Sequence, residues 1–252
     1  MKELIDHKNL PRHIAVIMDG NGRWAQKKGA ARVFGHRNAI TSVREVAEGC
    51  AELGIAHLTL YAFSTENWAR PRHEVNALME LLIRTIREEL PTLMKNNIRL
   101  HTIGEIERLP ERSQTELQEG IKKTSGNTGL NLTLALGYSG KWDIVQATKK
   151  IAREVAAGTM QPEDINEHLF ASRLSTGDWP EVDLMLRTGG DKRVSNFMLW
   201  QLAYSELYFY DDLLWPDFRR EHLYEAIIAY QRRERRFGKT GDQIKELVTK
   251  GE

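Results

Sequence analysis

The sequence predicts an α/β fold in a single domain, with a central, mostly parallel sheet of six strands flanked by helices. Short apolar runs alternate with longer segments of helical spacing, a pattern that is typical of parallel strands joined by helices. The 252 residues contain no linker long enough to separate two domains. We therefore expect residues 1–252 to form one domain, with about residues 1–11 and 240–252 as flexible termini.

Strands and helices are predicted in alternation along the whole chain. Six short, mostly apolar runs predict strands at 13–18, 57–63, 98–103, 130–136, 182–186 and 206–210. Apolar residues at helical spacing predict helices at 38–53, 75–96, 111–124, 142–157 and 222–236. Gly54 and Gly158 follow two of these helices and end them, and Pro91 predicts a kink or break in another.

Charge and cysteine content exclude several classes of protein. The 36 Lys and Arg residues balance 35 Asp and Glu residues at a net charge of +1, which argues against a nucleic-acid partner. Cys50 is the only cysteine, so an intrachain disulfide and a thiolate metal cluster are excluded. The sequence has no apolar N-terminal stretch of signal-peptide length and no run near the ~20 apolar residues that cross a bilayer. We expect a cytoplasmic protein that meets a membrane only from the surface, at its inner face.

The loop after the first strand has the composition of a phosphate site. Ligands of open parallel sheets bind at the C-terminal ends of strands, and this loop reads Asp19-Gly20-Asn21-Gly22-Arg23-Trp24. Glycines let the backbone approach a ligand closely, and the start of a following helix offers free N–H groups to an anion. A carboxylate would repel that anion unless a cation stood between them, so Asp19 suggests Mg²⁺. On the tetrapeptide Asp-Gly-Asn-Gly alone, an ordinary tight turn is the favoured interpretation.

The loop after the second strand offers hydrogen-bonding and cationic side chains. Ser64 and Asn67 can bond a ligand, and Arg70 can bind a phosphate. The alternative is a helix N-cap with Trp68 as an aromatic staple, which is narrowly favoured when this segment is taken alone.

The loop after the fifth strand surrounds a Gly-Gly turn with cations. Arg187 and Arg193 can each bind phosphate oxygens in bidentate fashion, and the turn favours an anion site over a solvated charge run. Glu206, at the start of the last strand, is a candidate second metal ligand. Without further context, a salt bridge is the favoured role for it.

Together these loops predict one pocket for polyanions. Its cations are Arg23, Arg32, Arg70, Arg187 and Arg193. Cations that converge in this way repel one another unless polyanions are bound, and two diphosphates with one Mg²⁺ would supply the balance.

Seven blocks of the chain match a known family in their order. They are HIAVIMDGNGRW (13–24), FGH (34–36), LTLYAFSTENWARP (58–71), LGYSGKWDIV (136–145), LRTGGDKRVSNFMLW (186–200), ELYFYDDLLWPD (206–217) and RERRFG (233–238). On these blocks the sequence resembles the cis-prenyltransferases, and among them the bacterial undecaprenyl diphosphate synthases. The resemblance implies a Mg²⁺-dependent homodimer that adds isopentenyl diphosphate repeatedly to an allylic diphosphate, expected to be farnesyl diphosphate. The product would be a Z-polyprenyl diphosphate, expected to be undecaprenyl diphosphate, a carrier-lipid precursor for cell-wall synthesis, grown in an apolar tunnel.

The resemblance also implies roles for individual residues. Asp19 and Asn67 would be catalytic, and Asp19 and Glu206 would bind the metal. Because an amide is a very weak base, we expect Asn67 to orient groups or relay a proton to a diphosphate oxygen. The implied residues around the starter are Gly20, Asn21, Gly22, Arg23, Trp24, Arg32 and His36, and those between starter and extender are Ser64, Thr65, Glu66, Trp68 and Arg70. The implied extender residues are Arg187, Arg193, Val194 and Ser195, with Arg236 and Gly238 acting across the dimer interface.

Two residues depart from the family's pattern, and three other functions stay open. Asp191 stands where the family commonly has Glu, and Lys192 where some relatives have His. The first alternative is a short- or medium-chain Z-prenyl diphosphate synthase, because tunnel depth sets product length. The others are a non-catalytic partner subunit and, last, a Mg²⁺-dependent phosphohydrolase.

Overall fold

Six parallel strands form one sheet at the centre of the computed structural model, which describes residues 1–177 and 179–234. The strand order is β3-β4-β2-β1-β5-β6, and all five pairings are parallel. The strands are β1 (His13–Ile17), β2 (His57–Ser64), β3 (Arg99–Ile103), β4 (Asn131–Tyr138), β5 (Leu184–Arg187) and β6 (Glu206–Phe209). The α/β class and the six parallel strands predicted from the sequence are confirmed.

Helices cover both faces of this sheet. Along β1, Ile14 and Val16 belong to one apolar core, whereas Ala15 and Ile17 belong to a second core on the other face. This double burial is why the strand is a continuous apolar run instead of an alternating one. The helices in the described part of the chain are α1 (Asn21–Lys27), α2 (Arg32–Leu53), α3 (Arg72–Lys95), α4 (Glu111–Thr124), α5 (Gly140–Ala156), α6 (Glu167–Arg173) and α7 (Arg220–Gln231).

Three helical features differ from the sequence-based expectation. Two short helices, α1 and α6, were not predicted, because seven residues are too few to show a helical period. Helix α2 begins at Arg32, six residues before the predicted start at 38. Helix α3 was expected over 75–96 with a kink or break at Pro91, and it runs from Arg72 to Lys95 without a break at Pro91. The missing N–H at Pro91 therefore costs one helical hydrogen bond without ending the helix.

The register of the sheet brings three loops together at one edge. In the centre of the sheet, β1 lies between β2 and β5. Parallel strands end at the same edge, so the loops after Ile17, Ser64 and Arg187 are neighbours. The three segments that the sequence analysis singled out therefore meet at one place.

The N-terminal segment packs on the fold. Ile5 is buried, and the Gln231 side chain bonds backbone groups of Asp6 and Asn9. The structure thus ties part of 1–11, expected to be flexible, to the end of α7, whereas 240–252 lie outside the described residues. Among the residues described, no helix combines the length and apolarity needed to cross a membrane.

Candidate active site

A buried arginine holds the acidic residue at the end of β1. Arg187, the last residue of β5, has a side chain only 4% exposed, and its Nη2 donates to Asp19 Oδ2 at 3.0 Å. Its Nη1 donates to Ser195 Oγ at 2.7 Å and to the Arg193 carbonyl oxygen. Arg187 therefore joins the first strand-end loop to the loop that follows β5.

The Asp19 carboxylate is ionised and fixed in orientation. Its Oδ1 accepts from the Gly20 N–H at 2.6 Å and lies 3.1 Å from Arg23 Nη2. Burial alone would raise the pKa of Asp19, but the hydrogen bond from Arg187 and the charges of Arg23 and Arg187 outweigh it and lower that pKa below its usual value. Thr188 Oγ1 donates to the Asp19 carbonyl oxygen at 2.7 Å, which also fixes the backbone.

Two glycines allow the chain to pass close to this carboxylate. Gly20, the N-cap of α1, has φ +108°, a conformation that side chains rarely adopt. Gly189 has φ +92°, and a Cβ there would lie 2.6 Å from Arg23 Nη2 and 3.1 Å from Asp19 Cγ. At both Gly20 and Gly189, the packing of the site itself therefore requires a glycine.

A second carboxylate faces the same arginines. Asp191 Oδ2 lies 3.5 Å from Arg187 Nη2 and 3.8 Å from Arg23 Nη2, and Arg193 forks onto both Asp191 oxygens at 3.0 and 2.8 Å. Arg193 is 63% exposed, so its guanidinium is open to solvent as well. Asp191 is thus a central member of the charge cluster, although the sequence analysis noted it only as a departure from the family pattern.

A second group of cations lies near the start of α3. Glu74 Oε1 is 3.1 Å from Arg70 Nη1 and 3.8 Å from Arg32 Nη1. His36 lies in the same field: its burial, followed by the charge of Arg70, lowers its pKa from 6.5 to about 4, so the ring is neutral at pH 7. Glu74 was not predicted as a site residue, but it follows Arg70 by four positions, which is the spacing of helical ion pairs.

The loop after β2 caps itself and also reaches the site. Asn67 Oδ1 accepts from the Ser64 N–H at 3.1 Å, as a capping residue does. Trp68 packs edge-on against Phe63 at 4.8 Å between ring centroids, and its buried Nε1 has no hydrogen-bond partner among the described residues. The N-cap with an aromatic staple, which was the alternative interpretation, therefore exists in the structure. It does not remove Asn67 from the site, because Asn67 also lines the cavity described below.

Asn196 joins three strand-end loops, a role that its sequence position did not predict. Its Nδ2 donates to Glu66 Oε1 at 2.9 Å, and its Oδ1 accepts from the Lys141 N–H at 3.0 Å. Its carbonyl oxygen also accepts from the Gly140 N–H at 2.6 Å. Asn196 has φ +59°, and asparagine tolerates that region better than most residues. Its only sequence signal is its place in the block at 186–200 that resembles the family.

An apolar cavity of about 250 Å³ opens beside these loops. It lies between α2, α3 and one face of the sheet, and its walls are largely apolar. Polar side chains at the strand-end side of the cavity are Asn21, His36, Asn67 and Arg70. The apolar residues of the wall include Ala39, Val43, Ala62, Leu78, Leu82, Ile86, Leu100, Leu132 and Leu134. The cavity thus places an apolar chamber against one of the cationic groups.

Some predicted residues are not brought to this cluster. Glu206 begins β6 and pairs with Leu184 at the N-terminal edge of the sheet, and it forms an ion pair with Arg233 at 2.7 Å. Within one chain, Glu206 therefore does not join Asp19 at a metal site, which corrects the expectation. The reason is that Glu206 is the first residue of its strand, whereas the residues of the site lie at or after the last residue of theirs. Trp24 donates to Asp217 at 2.8 Å and stacks on Phe34, and so acts in packing.

The other predicted residues have varied positions. Val194 packs against the second apolar core, and Thr65 donates to Glu66 at 3.0 Å in the loop after β2. Gly22 lies next to Arg32, since a Cβ there would be 3.2 Å from Arg32 Nε. Arg236 and Gly238 lie outside the described residues.

The donor set of the cluster fits Mg²⁺ better than a metal that needs a full protein cage. No group of three or more histidine, cysteine or acidic side chains suited to a metal occurs among the described residues. Asp19 and Asp191, both about one-third exposed, are the carboxylates that face the arginines. Mg²⁺ commonly binds one or two carboxylates and completes its shell with water and substrate phosphates.

Comparisons with known proteins identify the family of the chain. A family model described as "Putative undecaprenyl diphosphate synthase" matches residues 17–238. An isoprenyl transferase of Chlorobaculum tepidum is 55% identical over 236 residues, covering 94% of this chain and 89% of its own length. A ditrans,polycis-undecaprenyl-diphosphate synthase ((2E,6E)-farnesyl-diphosphate specific) of Vibrio vulnificus is 51% identical over 242 residues, covering 96% of each chain.

Solved structures show the same fold. Lavandulyl diphosphate synthase from Lavandula x intermedia, in complex with dimethylallyl diphosphate, superposes with a TM-score of 0.89 at 35% identity, over 92% of this chain and 100% of that one. A probable undecaprenyl diphosphate synthase from Campylobacter jejuni gives a TM-score of 0.76 at 35% identity with the same coverage. The strand-end charge cluster, the apolar chamber and these similarities agree, and the chain belongs to the undecaprenyl diphosphate synthase family of prenyltransferases.

Proposed function

We propose that the chain joins isopentenyl diphosphate to an allylic diphosphate, preferably farnesyl diphosphate, and repeats the step to make undecaprenyl diphosphate. The observation that best supports this proposal is the position of the apolar cavity, whose polar mouth includes Asn67 and Arg70. A substrate with an anionic head and a long hydrocarbon tail matches that division of polar and apolar surface. The relatives named for this reaction support the choice of substrates.

The two charge clusters suit two diphosphates. Arg70 and neutral His36 line the cavity mouth, and Arg32 lies beside Arg70 through their shared contact with Glu74. The allylic diphosphate would place its head there, above a buried tail. Arg193 and Arg23, both partly exposed beside Asp191, can bind the diphosphate of the extender. Arg187 has little free surface, so we assign it chiefly to positioning Asp19 and Ser195.

The reaction then needs charge stabilisation and exclusion of water. The allylic C–O bond breaks as diphosphate departs, the extender's double bond forms the new C–C bond, and a proton leaves to give the new Z double bond. Arginines placed before the reaction stabilise the negative charge that develops on the departing diphosphate. Asn67, whose Oδ1 is already bonded to the Ser64 N–H, is limited to orienting substrate or relaying the proton to a diphosphate oxygen.

Asp19, with Asp191 close by, would hold Mg²⁺ together with diphosphate oxygens. When bound, the ion would neutralise charge on the leaving diphosphate. The chain's own part is to keep the Asp19 carboxylate ionised and oriented, which Arg187 and the Gly20 N–H do.

The test is product analysis with the purified chain. Farnesyl diphosphate, labelled isopentenyl diphosphate and Mg²⁺ should yield a chain-length distribution dominated by undecaprenyl diphosphate. Chelation should abolish incorporation, and added Mg²⁺ should restore it. Shorter products would identify a short- or medium-chain synthase, and absence of incorporation by the single chain would favour a partner subunit. Diphosphate release without isopentenyl diphosphate would instead indicate a hydrolase.

We also propose that the enzyme works as a homodimer in contact with a membrane surface. Strand β6 forms one edge of the sheet, and Tyr204, just before it, is 65% exposed, a large aromatic surface suited to an interface. A polyprenyl product is too apolar to leave into water, so release requires peripheral contact with a bilayer. Light scattering of the pure chain and flotation with vesicles after turnover test these two points.

A further inference from the structure

The apolar cavity contains one ion pair far from the phosphate-binding end. Arg44 of α2 and Glu89 of α3 both line the cavity, and Arg44 Nε donates to Glu89 Oε2 at 2.9 Å. A second bond joins Arg44 Nη2 to Glu89 Oε1, so the contact is bidentate. Nothing in the chemistry proposed above uses this pair, yet two charged groups in a largely apolar wall are costly unless they are needed.

The pair lies well along the cavity from the cationic mouth, and the lining continues past it to Leu93 and Ile98. Arg44 follows His36 by eight residues on α2, which is about 12 Å along the helix axis. Glu89 lies 17 residues into α3, about 26 Å from its start. The sheet residues that line the cavity include Leu100 and Leu132, which are the second residues of β3 and β4.

Exposure differs strongly between the two partners. The Glu89 side chain is 11% exposed, whereas the Arg44 side chain is 46% exposed. Arg44 therefore has solvent on one side and the cavity on the other, and Glu89 ties it to α3. Thr85 and Thr92 also line the cavity on the same face of α3, so a polar stripe surrounds the pair.

The volume of the cavity makes this position important. At about 250 Å³ it is smaller than the roughly 300–1,000 Å³ of typical drug-sized ligand sites. A polyprenyl tail that grows from the mouth must fill this space early and then advance between α2 and α3. The Arg44–Glu89 pair joins α2 to α3 along this path. Hydrocarbon laid against it would remove water from Arg44 without replacing the lost hydrogen bonds.

We propose that the Arg44–Glu89 pair is a specificity-determining stop that limits the length of the product. This inference rests on the proposed function, because it assigns the cavity to the growing tail. Further addition slows when the tail reaches the pair, since each added unit must then displace water and part α2 from α3.

The decisive variant replaces both partners by apolar residues of similar size, Arg44→Met with Glu89→Leu. Removing both charges avoids a buried unpaired carboxylate, and such replacements are often neutral or stabilising. The matched control is Arg87→Met with Glu116→Leu, which removes a bidentate pair between α3 and α4 that does not line the cavity. Melting temperatures of both variants establish that they fold.

Product sizing gives the first readout. In the cavity variant, the fraction of product longer than the main wild-type product should rise about tenfold, which corresponds to about 1.4 kcal/mol of barrier. The control should match the wild type. An unchanged or shortened distribution in the cavity variant, or an equal shift in the control, would overturn the proposal.

A binding series gives a readout that needs no turnover. Affinity for n-alkyl diphosphates should rise roughly fourfold per methylene while the tail lies along the apolar wall. In the wild type this increment should cease when the tail reaches the pair, and in the cavity variant it should continue to longer chains. If affinity stops rising at the same chain length in the wild type and in the cavity variant, the proposal that the pair limits product length is overturned. Absence of incorporation by the wild type would instead contradict the proposed function, and the binding series would still decide the role of the pair.

Discussion

The Arg187 guanidinium donates to the Asp19 carboxylate at 3.0 Å from a side chain with almost no exposed surface. Arg187 ends β5, and Asp19 follows β1 by two residues, so the pairing of these strands fixes the contact. A buried arginine beside a half-buried aspartate keeps the carboxylate charged and lowers its freedom to rotate. This geometry changes the expected role of Arg187 from holding the extender to positioning Asp19.

Replacing Arg187 by lysine should therefore reduce kcat more than it raises KM for isopentenyl diphosphate. A lysine keeps the charge but cannot bond Asp19 and Ser195 at once, because it lacks the planar fork. We expect kcat to fall by more than about tenfold. Steady-state rates of Arg187→Lys measure this, with the exposed Arg193→Lys as a control that should mainly raise KM. An unchanged kcat with a higher KM would restore the original assignment.

Asp19→Asn should stop turnover while the chain stays folded. The amide oxygen can still accept from the Gly20 N–H, so the local turn survives, but the negative charge is lost. A loss of kcat greater than about tenfold, and a weaker dependence on Mg²⁺, are expected from initial rates over a Mg²⁺ titration. Asp191→Asn is the matched control and should reduce kcat less. A kcat within tenfold of wild type would mean that Asp19 does not bind the ion.

The rule that sites form at the C-terminal ends of parallel strands explains which site residues could be predicted from the sequence and why Glu206 was assigned wrongly. Asp19, Ser64 and Arg187 were predicted together because each lies at the C-terminal end of a parallel strand, where loops meet regardless of helix details. Glu206 does not meet this condition, because it is the first residue of its strand and therefore lies at the N-terminal edge of the sheet. The predicted strands indicate at which edge of the sheet a residue lies, but they do not indicate which side chains form hydrogen bonds there.

The missed residues depend on contacts that have no local signature. Asn196 bonds Glu66, 130 positions away, and Arg44 bonds Glu89 across two helices. Single-sequence periodicity identifies the helices but not the rotation at which their faces meet. The start of α2 was missed for a related reason: Gly35 is unfavourable in a helix, but a Cβ there would lie 2.8 Å from the Asn21 carbonyl carbon, so close packing of α1 requires it.

Stability should fall in mild acid because several histidines, among them buried His13 and half-buried His57, are held in the neutral state. Burial lowers the pKa of His13 from 6.5 to about 4, and burial followed by the charge of His13 lowers that of His57 to about 4. Between these values the unfolded chain binds more protons than the folded one, so stability declines as pH falls through 6.5 and the decline ends below about 4. For fully buried His13 the loss is on the order of 3 kcal/mol, at about 1.4 kcal/mol per pKa unit.

Urea midpoints between pH 7 and pH 4 test this acid dependence. His57→Phe should keep the aromatic contacts that His57 makes with His13 and Trp179, both at 5.5 Å between centroids, and should reduce the slope by up to one proton. A wild-type midpoint that is flat over this range, or a variant with the same slope, would contradict the assignment.

Asn196 should prove necessary for the alignment of the three strand-end loops. Asn196→Ala removes the bonds to Glu66 and to the Lys141 N–H, and should cost about 1–3 kcal/mol of stability while it raises KM for isopentenyl diphosphate. Asn196→Asp keeps an acceptor for Lys141 but places a second negative charge at Glu66, so it should bind the extender more weakly than the alanine variant. Adding Glu66→Gln to Asn196→Asp removes that repulsion and supplies a donor, and KM should recover. If Asn196→Asp matches the wild type in KM and melting temperature, Asn196 does not link these loops in the working enzyme.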